Sequence, residues 1–160
     1  MAREEPSDDH VELCFAPRWT YISCVRKFLA SFFLIGLSDK EQAEQISTAA
    51  SELLENAVKY SSEDNSYTRV EISRRRNEVH LVVENPADPE QINVLRREFA
   101  LVTAGEPEAV YLKRMEEAAR AGTQSRLGLI RILYEAGASL RLEVHERKVK
   151  MHAVFPVKEA

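Results

Sequence analysis

Several signals that carry chemistry in other proteins are missing from this sequence of 160 residues. Its two cysteines, Cys14 and Cys24, lie ten positions apart without CxxC spacing or histidines at zinc-ligand intervals, so we expect buried thiols rather than a metal or redox site. The four histidines share no ligand spacing. The absence of a Gly-x-Ser-x-Gly elbow and of a P-loop argues against the common serine hydrolases and P-loop enzymes.

Long apolar runs are missing as well. The most apolar stretch, residues 28–37 (FLASFFLIGL), has about half the length needed to cross a bilayer. The acidic start MAREEPSDDH lacks the basic, apolar and small-residue order of a signal peptide. We therefore expect a cytoplasmic protein without membrane insertion. Because a net charge of -4 gives no general attraction for phosphate backbones, we expect a protein or small-molecule partner and no nucleic acid.

The residues that are present predict one domain. A chain of this length with 44% apolar residues can bury one core, which we assign to residues 11–160 after a flexible tail at residues 1–10. Hydrophobic periodicity predicts the order strand, two helices, two strands, helices and two strands. Segregated strands and helices indicate an α+β fold, a two-layer α/β sandwich with a mixed sheet and helices on one face.

Local signals place the predicted elements along the chain. A capping box of Ser38 and Glu41 begins the second helix, and Asn85-Pro86 ends the central hairpin. The predicted strands are residues 11–15, 67–74, 78–84, 139–145 and 149–157, and the predicted helices are residues 19–34, 38–60, 88–101, 107–121 and 127–135.

The first predicted helix is more apolar than a single sheet-facing stripe requires. Apolar side chains also lie outside that stripe and at the helix end, where a second apolar face often marks a partner. Two interpretations stay open, core packing alone or an interface for a homodimer or another protein. The residues concerned are Phe28, Phe32, Phe33, Leu34, Ile35 and Leu37.

The second predicted helix contains the sequence SELLENAVKY at residues 51–60. Its Glu52 and Asn56 are four residues apart and so share one helix face. This pattern resembles the N box of the histidine-kinase-like (Bergerat) ATP-binding superfamily, and most closely the bacterial anti-sigma factor serine kinases. The resemblance implies bound ATP and Mg²⁺, with Asn56 as the metal ligand and Glu52 as the general base. An amide oxygen suits Mg²⁺, and a nearby carboxylate can accept a proton from an attacking hydroxyl.

Two glycine boxes of that superfamily have altered counterparts. Residues 122–129 (GTQSRLGL) resemble the second box, which implies phosphate contacts from Ser125, Arg126 and Gly128, with Arg126 replacing a glycine. The first box falls on residues 85–89 (NPADP), where Asn85 replaces the aspartate that accepts from adenine and no glycine remains. A neutral acceptor implies an affinity roughly five- to thirty-fold lower.

The resemblance implies a bacterial regulatory protein that binds ATP and Mg²⁺ and regulates or phosphorylates a small protein partner. In the superfamily that partner is a sigma factor or an anti-sigma antagonist. Residues 88–121 are helix formers where the superfamily has a flexible lid, so they either cover the pocket, dock a partner or fill an empty pocket. The alternative function is a nucleotide-free pseudo-kinase scaffold that acts by protein binding or dimerisation.

Overall fold

The computed structural model describes residues 9–61, 67–122 and 127–157. The strands are β1 (Asp9–Phe15), β2 (Thr68–Arg75), β3 (Glu78–Pro86), β4 (Ser139–His145) and β5 (Lys148–Pro156). The helices are α1 (Trp19–Gly36), α2 (Lys40–Lys59), α3 (Pro89–Thr103), α4 (Pro107–Ala121) and α5 (Gly128–Tyr134). The predicted order of elements is confirmed.

The five strands form one sheet in the order β1-β2-β3-β5-β4. Every described pair of strands is antiparallel. The prediction of a mixed sheet is therefore wrong. Short turns join β2 to β3 and β4 to β5, and a hairpin connection imposes antiparallel pairing. The two hairpins then meet through β3 and β5, where Leu81 faces Ala153.

Strand alternation puts the core on one face of this sheet, beneath the helices. The opposite face carries charged pairs, such as Arg69 with Glu12 at 2.9 Å. The expected two-layer α/β sandwich with helices on one face is therefore confirmed. The inward residues of the three central strands, which are nearly inaccessible to solvent, are Val70, Ile72, Val79, Leu81, Val83, Val149, Met151, Ala153 and Phe155.

Helix α2 begins one residue later than the predicted capping box. Asp39 is the N-cap, and its carboxylate accepts from the backbone amides of Glu41 at 3.0 Å and Gln42 at 3.3 Å. A carboxylate at this position satisfies first-turn amides that the helix itself leaves unpaired. Ser38 is therefore not the cap.

Two strand boundaries also differ from the predictions. Strand β1 begins at Asp9, inside the segment expected to be a tail. Strand β3 continues through Asn85 and Pro86, which face Val149 and Lys148 of β5. The pairing of β3 with β2 ends at Glu84. The ladder therefore requires no backbone N–H from residue 86 on the β2 side, and a proline is tolerated there.

Two further expectations concern single residues and the membrane. Cys14 and Cys24 are both exposed, so the expectation of buried thiols is wrong. They lie on β1 and on a flank of α1 that point away from the core. Within the described ranges, no helix combines the length and the apolar character that crossing a bilayer requires.

Helices α3 and α4 cover the sandwich in different ways. Helix α3 buries the apolar side chains of Ile92, Leu95 and Val102. Helix α4 has one buried residue, and that residue is the charged Arg114. The apolar contribution of α4 comes from the partly buried Val110, Tyr111 and Ala118, so its attachment depends on the Arg114 contact more than α3 depends on any polar contact.

Candidate functional site

Helix α2 positions the two residues of the predicted N box. Its apolar side chains, among them Leu53, Leu54 and Ala57, are buried against the sheet and α1. Glu52 and Asn56 lie beside this apolar face and are half-buried. Their four-residue spacing puts both on the side of α2 that meets α5, as the sequence predicted.

Glu52 is packed directly against the first residue of α5. A Cβ atom added at Gly128 would lie 2.7 Å from Oε2 of Glu52, which is closer than two such atoms approach. The other carboxylate oxygen, Oε1, lies 3.8 Å from Nη1 of Arg131. Because residue 128 is a glycine, the Glu52 carboxylate can approach the backbone of α5. Arg131, one turn further along α5, partly balances the charge of this carboxylate.

The environment of Glu52 raises the pKa of its carboxyl group above the ordinary value of 4.5. Burial is the main cause because a carboxylate loses hydration there, and the negative charge of Glu55 adds to it. The positive charge of Arg131 acts in the opposite direction. A carboxyl group with a raised pKa accepts a proton more readily, as a general base must.

Asn56 lines a cavity of about 190 Å³ at the junction of α2, α3 and α5. Gly128 lies on the wall of the same cavity, beside Asn56. The remaining wall comes from the end of α2, from α3 and from α5, through Lys59, Tyr60, Val94, Leu95, Glu98 and Leu129. Helix α3 therefore covers this cavity and contributes side chains to it.

Glu52 opens instead onto a second cavity, of about 270 Å³, between α2 and α5. Glu41, Glu44 and Glu135 make this second cavity acidic, with Arg131 on its wall. The structure thus brings Glu52, Asn56 and Gly128 together at one helix junction. It does not aim Glu52 and Asn56 into one shared cavity.

Asn85 lies apart from these two cavities, near the end of β3. Its side chain is almost fully buried on the inner face of the sheet, and Nδ2 donates to the carbonyl oxygen of Pro86 at 3.2 Å. Thr68 of β2 is also fully buried, and its hydroxyl has no hydrogen-bond partner among the residues that the structure describes. Thr68 is not among the predicted site residues, although it continues the inward alternation of Val70 and Ile72.

Ser125 and Arg126, the other predicted phosphate contacts, lie outside the described residues. The described part of the second glycine box is Gly122 at the end of α4 and residues 127–129 at the start of α5. Gly122 has φ of 67°, the left-handed conformation that glycine adopts at helix ends.

A buried ion pair holds α4 against α3 next to the Asn56 cavity. Nη2 of Arg114 lies 3.0 Å from Oε2 of Glu98, and the Arg114 side chain is 8% exposed. A second link joins α4 to α5, where the Tyr111 hydroxyl donates to Glu135 at 3.0 Å and the Tyr111 ring stacks on Tyr134. One wall of the cavity thus depends on how α4 is docked.

The side chains near Asn56 suit a bound Mg²⁺, whereas the volume of the Asn56 cavity is small for ATP. Among the described residues, no group of three or more His, Cys, Asp or Glu side chains is arranged to hold a metal. A cation at Asn56 would have one amide oxygen from that residue and would need phosphate oxygens, a coordination typical of Mg²⁺. The cavity of about 190 Å³ is smaller than the roughly 300 Å³ at which small-molecule pockets begin. The donor chemistry fits, whereas the cavity that the described residues enclose is smaller than a nucleotide site needs.

Comparison with known proteins gives a fold match. A chain in the crystal structure of the SiaB-SiaC complex from Pseudomonas aeruginosa superposes with a TM-score of 0.67 at 16% sequence identity, covering 91% of this chain and 89% of that chain. No family model matches the sequence, and no curated protein is significantly similar to it. The match therefore establishes the fold over nearly the whole chain.

Proposed function

We propose that this chain is a bacterial regulatory protein that binds a small protein partner and holds ATP and Mg²⁺ at the junction of α2 and α5. The first part is supported by the shared fold with a chain from the complex of SiaB with SiaC. The second part is supported by the resemblance of residues 51–60 to the N box and by the geometry of the junction.

One observation carries the nucleotide proposal. Glu52 on α2 packs against Gly128 on α5, and Asn56 lines the same cavity as Gly128, although about seventy residues separate the two segments. Asn56 would offer an amide oxygen to Mg²⁺, which would neutralise phosphate charge, and ATP would supply the phosphoryl group. Glu52 would accept the proton of a serine or threonine hydroxyl on the partner as that oxygen takes the phosphoryl group and ADP leaves. The raised pKa of Glu52 favours that proton transfer.

The binding half is tested by calorimetric titration of ATP with Mg²⁺ into the purified chain. We expect Asn56→Ala to abolish the binding heat, because the cation loses its protein ligand. Asn93→Ala, on the exposed surface of α3, is the matched control and is expected to bind like the unmodified chain. Equal binding by both variants would refute Asn56 as the ligand.

The transfer half is tested by Glu52→Gln, which keeps the size of the side chain and removes the base. We expect nucleotide binding within about twofold of the unmodified chain, and loss of phosphate transfer to the partner by a factor of roughly 10² or more. Transfer that persists in this variant would show that Glu52 is not the base.

The second candidate function is a nucleotide-free pseudo-kinase scaffold that acts by protein binding or dimerisation. It is favoured by the small cavity, by the α3 side chains in its wall and by Asn85-Pro86 where the first glycine box is expected. The absence of binding heat at millimolar nucleotide would support the scaffold over the kinase. Partner binding that survives Asn56→Ala would add to that support.

A further inference from the structure

The face of the sheet opposite the helices carries two histidines in contact. His80 of β3 and His152 of β5 point to this face, because their neighbours Leu81 and Ala153 are buried in the core. Nδ1 of His80 lies 3.1 Å from Nε2 of His152. The rings are diagonal neighbours, since the residue of β3 that faces His152 across the ladder is Val82. The pairing of β3 with β5 therefore brings the two imidazoles together.

The second nitrogen of each ring also has a partner. Nε2 of His80 lies 2.8 Å from Oε2 of Glu78, and Nδ1 of His152 lies 3.2 Å from Nη2 of Arg141. Arg141 faces His152 across the ladder of β4 and β5, and its Nε lies 2.9 Å from Oε1 of Glu143. The two rings are thus the middle of a hydrogen-bonded chain that crosses three neighbouring strands.

The partners at the ends of this chain fix the protons of both rings. A guanidinium group only donates hydrogen bonds, and a carboxylate only accepts them. Nδ1 of His152 therefore accepts from Arg141, and the proton of His152 lies on Nε2, which donates to Nδ1 of His80. The proton of His80 lies on Nε2, which donates to Glu78. All three hydrogen bonds form together only when each ring carries one proton and is neutral.

One additional proton breaks this chain at Arg141. A proton on Nδ1 of His80 is donated to Nε2 of His152, so the proton of His152 moves to Nδ1, where it faces the Arg141 donor. A proton taken up by His152 itself also occupies Nδ1. Two donors cannot share a hydrogen bond, so either position of the proton ends the contact of His152 with Arg141. The Arg141 side chain is 65% exposed and keeps Glu143 as a partner, so it is able to turn away.

The surroundings favour the neutral pair at neutral pH. Burial lowers the pKa of His152 below its ordinary value of 6.5, and the positive charges of His80 and Arg141 act in the same direction. The negative charge of Glu143 acts in the opposite direction. The charged groups around the pair on this face are Arg75 of β2, Glu78 of β3, Arg141 and Glu143 of β4 and Lys150 of β5.

This arrangement suits a shared proton better than a metal ion. Among the residues that the structure describes, no third His, Cys, Asp or Glu side chain joins the two rings in a grouping that could hold a metal. The guanidinium group of Arg141 also directs positive charge at His152, which opposes a cation on the same ring.

We propose that His80 and His152 form a pH-sensitive switch, in which uptake of one proton below neutral pH releases Arg141 from His152. The released guanidinium group and the added proton make this face more positive next to β4, the strand that ends the sheet. The switch lies on the face opposite α2 and α5, so it goes beyond the proposed nucleotide site and does not depend on it.

Long-range ¹H–¹⁵N NMR of the full chain tests the proton positions. At about pH 8 we expect both His80 and His152 to carry a proton on Nε2 and none on Nδ1. On acidification, the ring signals of His152 and the guanidinium signals of Arg141 should change with one common midpoint below 6.5. A proton on Nδ1 of either ring at the higher pH, or separate midpoints for His152 and Arg141, would overturn the proposal.

Substitutions of exposed residues test the direction of the coupling. Arg141→Gln keeps a donor for Nδ1 but removes the positive charge, so the midpoint of His152 should rise. Glu143→Gln should lower that midpoint, because it removes the opposing negative charge. Arg120→Gln, on the exposed surface of α4, is the matched control and should leave it unchanged. A midpoint that Arg141→Gln does not move, or that Arg120→Gln moves equally, would refute the switch.

Discussion

Helices α2 and α4 differ in what attaches them to the rest of the molecule. Helix α2 buries seven residues, all of them apolar, whereas the buried residue of α4 is Arg114. Apolar burial is non-directional and increases with area, but an ion pair depends on the position of two side chains. Helix α2 therefore fixes the scaffold of the site, whereas the docking of α4 against α3, the helix that covers the Asn56 cavity, includes an ion pair that one substitution removes. The buried residues of α2 are Ala43, Ile46, Ala49, Ala50, Leu53, Leu54 and Ala57.

The largest expected effect comes from truncating a core leucine of α2. Leu54 is fully buried, so Leu54→Ala should lower the free energy of unfolding by about 3 kcal/mol through lost burial and a residual cavity. Leu112 of α4 is 56% exposed, and Leu112→Ala should change stability by less than about 0.5 kcal/mol. Denaturant unfolding measures both. Similar losses in the two variants would remove the contrast between the helices.

The next effect is local to α4. Arg114→Met removes the ion pair with Glu98 and should cost about 1–2 kcal/mol, less than for a fully buried pair because Glu98 keeps some contact with water. Hydrogen exchange should accelerate in residues 107–121 and remain unchanged in residues 40–59. Arg120→Met, on the exposed face of α4, is the control. If exchange accelerates equally in both segments, α4 is not a separately opening element.

A smaller effect concerns Glu52, where α2 meets α5. Folding raises the pKa of Glu52, so the protonated carboxyl group favours the folded state. This contribution to stability is lost as the pH rises from the unfolded pKa near 4.5 through the higher folded pKa. Glu52→Gln should therefore gain stability relative to the unmodified chain at neutral pH, by at most about 1 kcal/mol, and match it at low pH. Unfolding at several pH values measures the difference. An advantage that is largest in acid would contradict the assigned sign.

The smallest expected effect concerns Thr68, a polar side chain buried in the core. Thr68 is fully buried and its hydroxyl has no partner within the described part of the chain, so Thr68→Val should raise stability by roughly 0.5–1 kcal/mol. Thr103 at the end of α3 is the control, because its hydroxyl donates to the carbonyl oxygen of Phe99 at 2.7 Å, and Thr103→Val should give no gain. Thermal unfolding compares the two. Destabilisation by Thr68→Val would show that the hydroxyl does have a partner in solution.

Much of this fold follows from local patterns in the sequence. Alternation in β2 and β3 and the three- and four-residue spacings in α1 and α2 gave the elements to within a few residues, because each pattern reflects one buried face. Local patterns fix an element boundary less sharply where two residues compete for one role. Asp39 rather than Ser38 caps α2, and Pro86 remains in β3 because of where β2 ends.

The candidate site was predictable only in part. The spacing of Glu52 and Asn56 predicts a shared helix face, and that is what the structure has. The contact of Glu52 with Gly128 joins segments far apart in sequence, and the opening of Glu52 and Asn56 onto different cavities depends on where α5 crosses α2. The burial of Arg114 on α4 likewise depends on its packing against Glu98 of α3, which no local pattern in the sequence predicts.

Periodicity and composition along single segments are enough to predict the order of the elements, the faces of α1 and α2 and the residue types available for phosphate chemistry. The antiparallel sheet, the cover that α3 forms over the Asn56 cavity and the exposure of Phe28 and Ile35 on α1 are known only from the folded chain. Pairing, burial and desolvation depend on neighbours brought together by folding, and no local pattern encodes which neighbours those are.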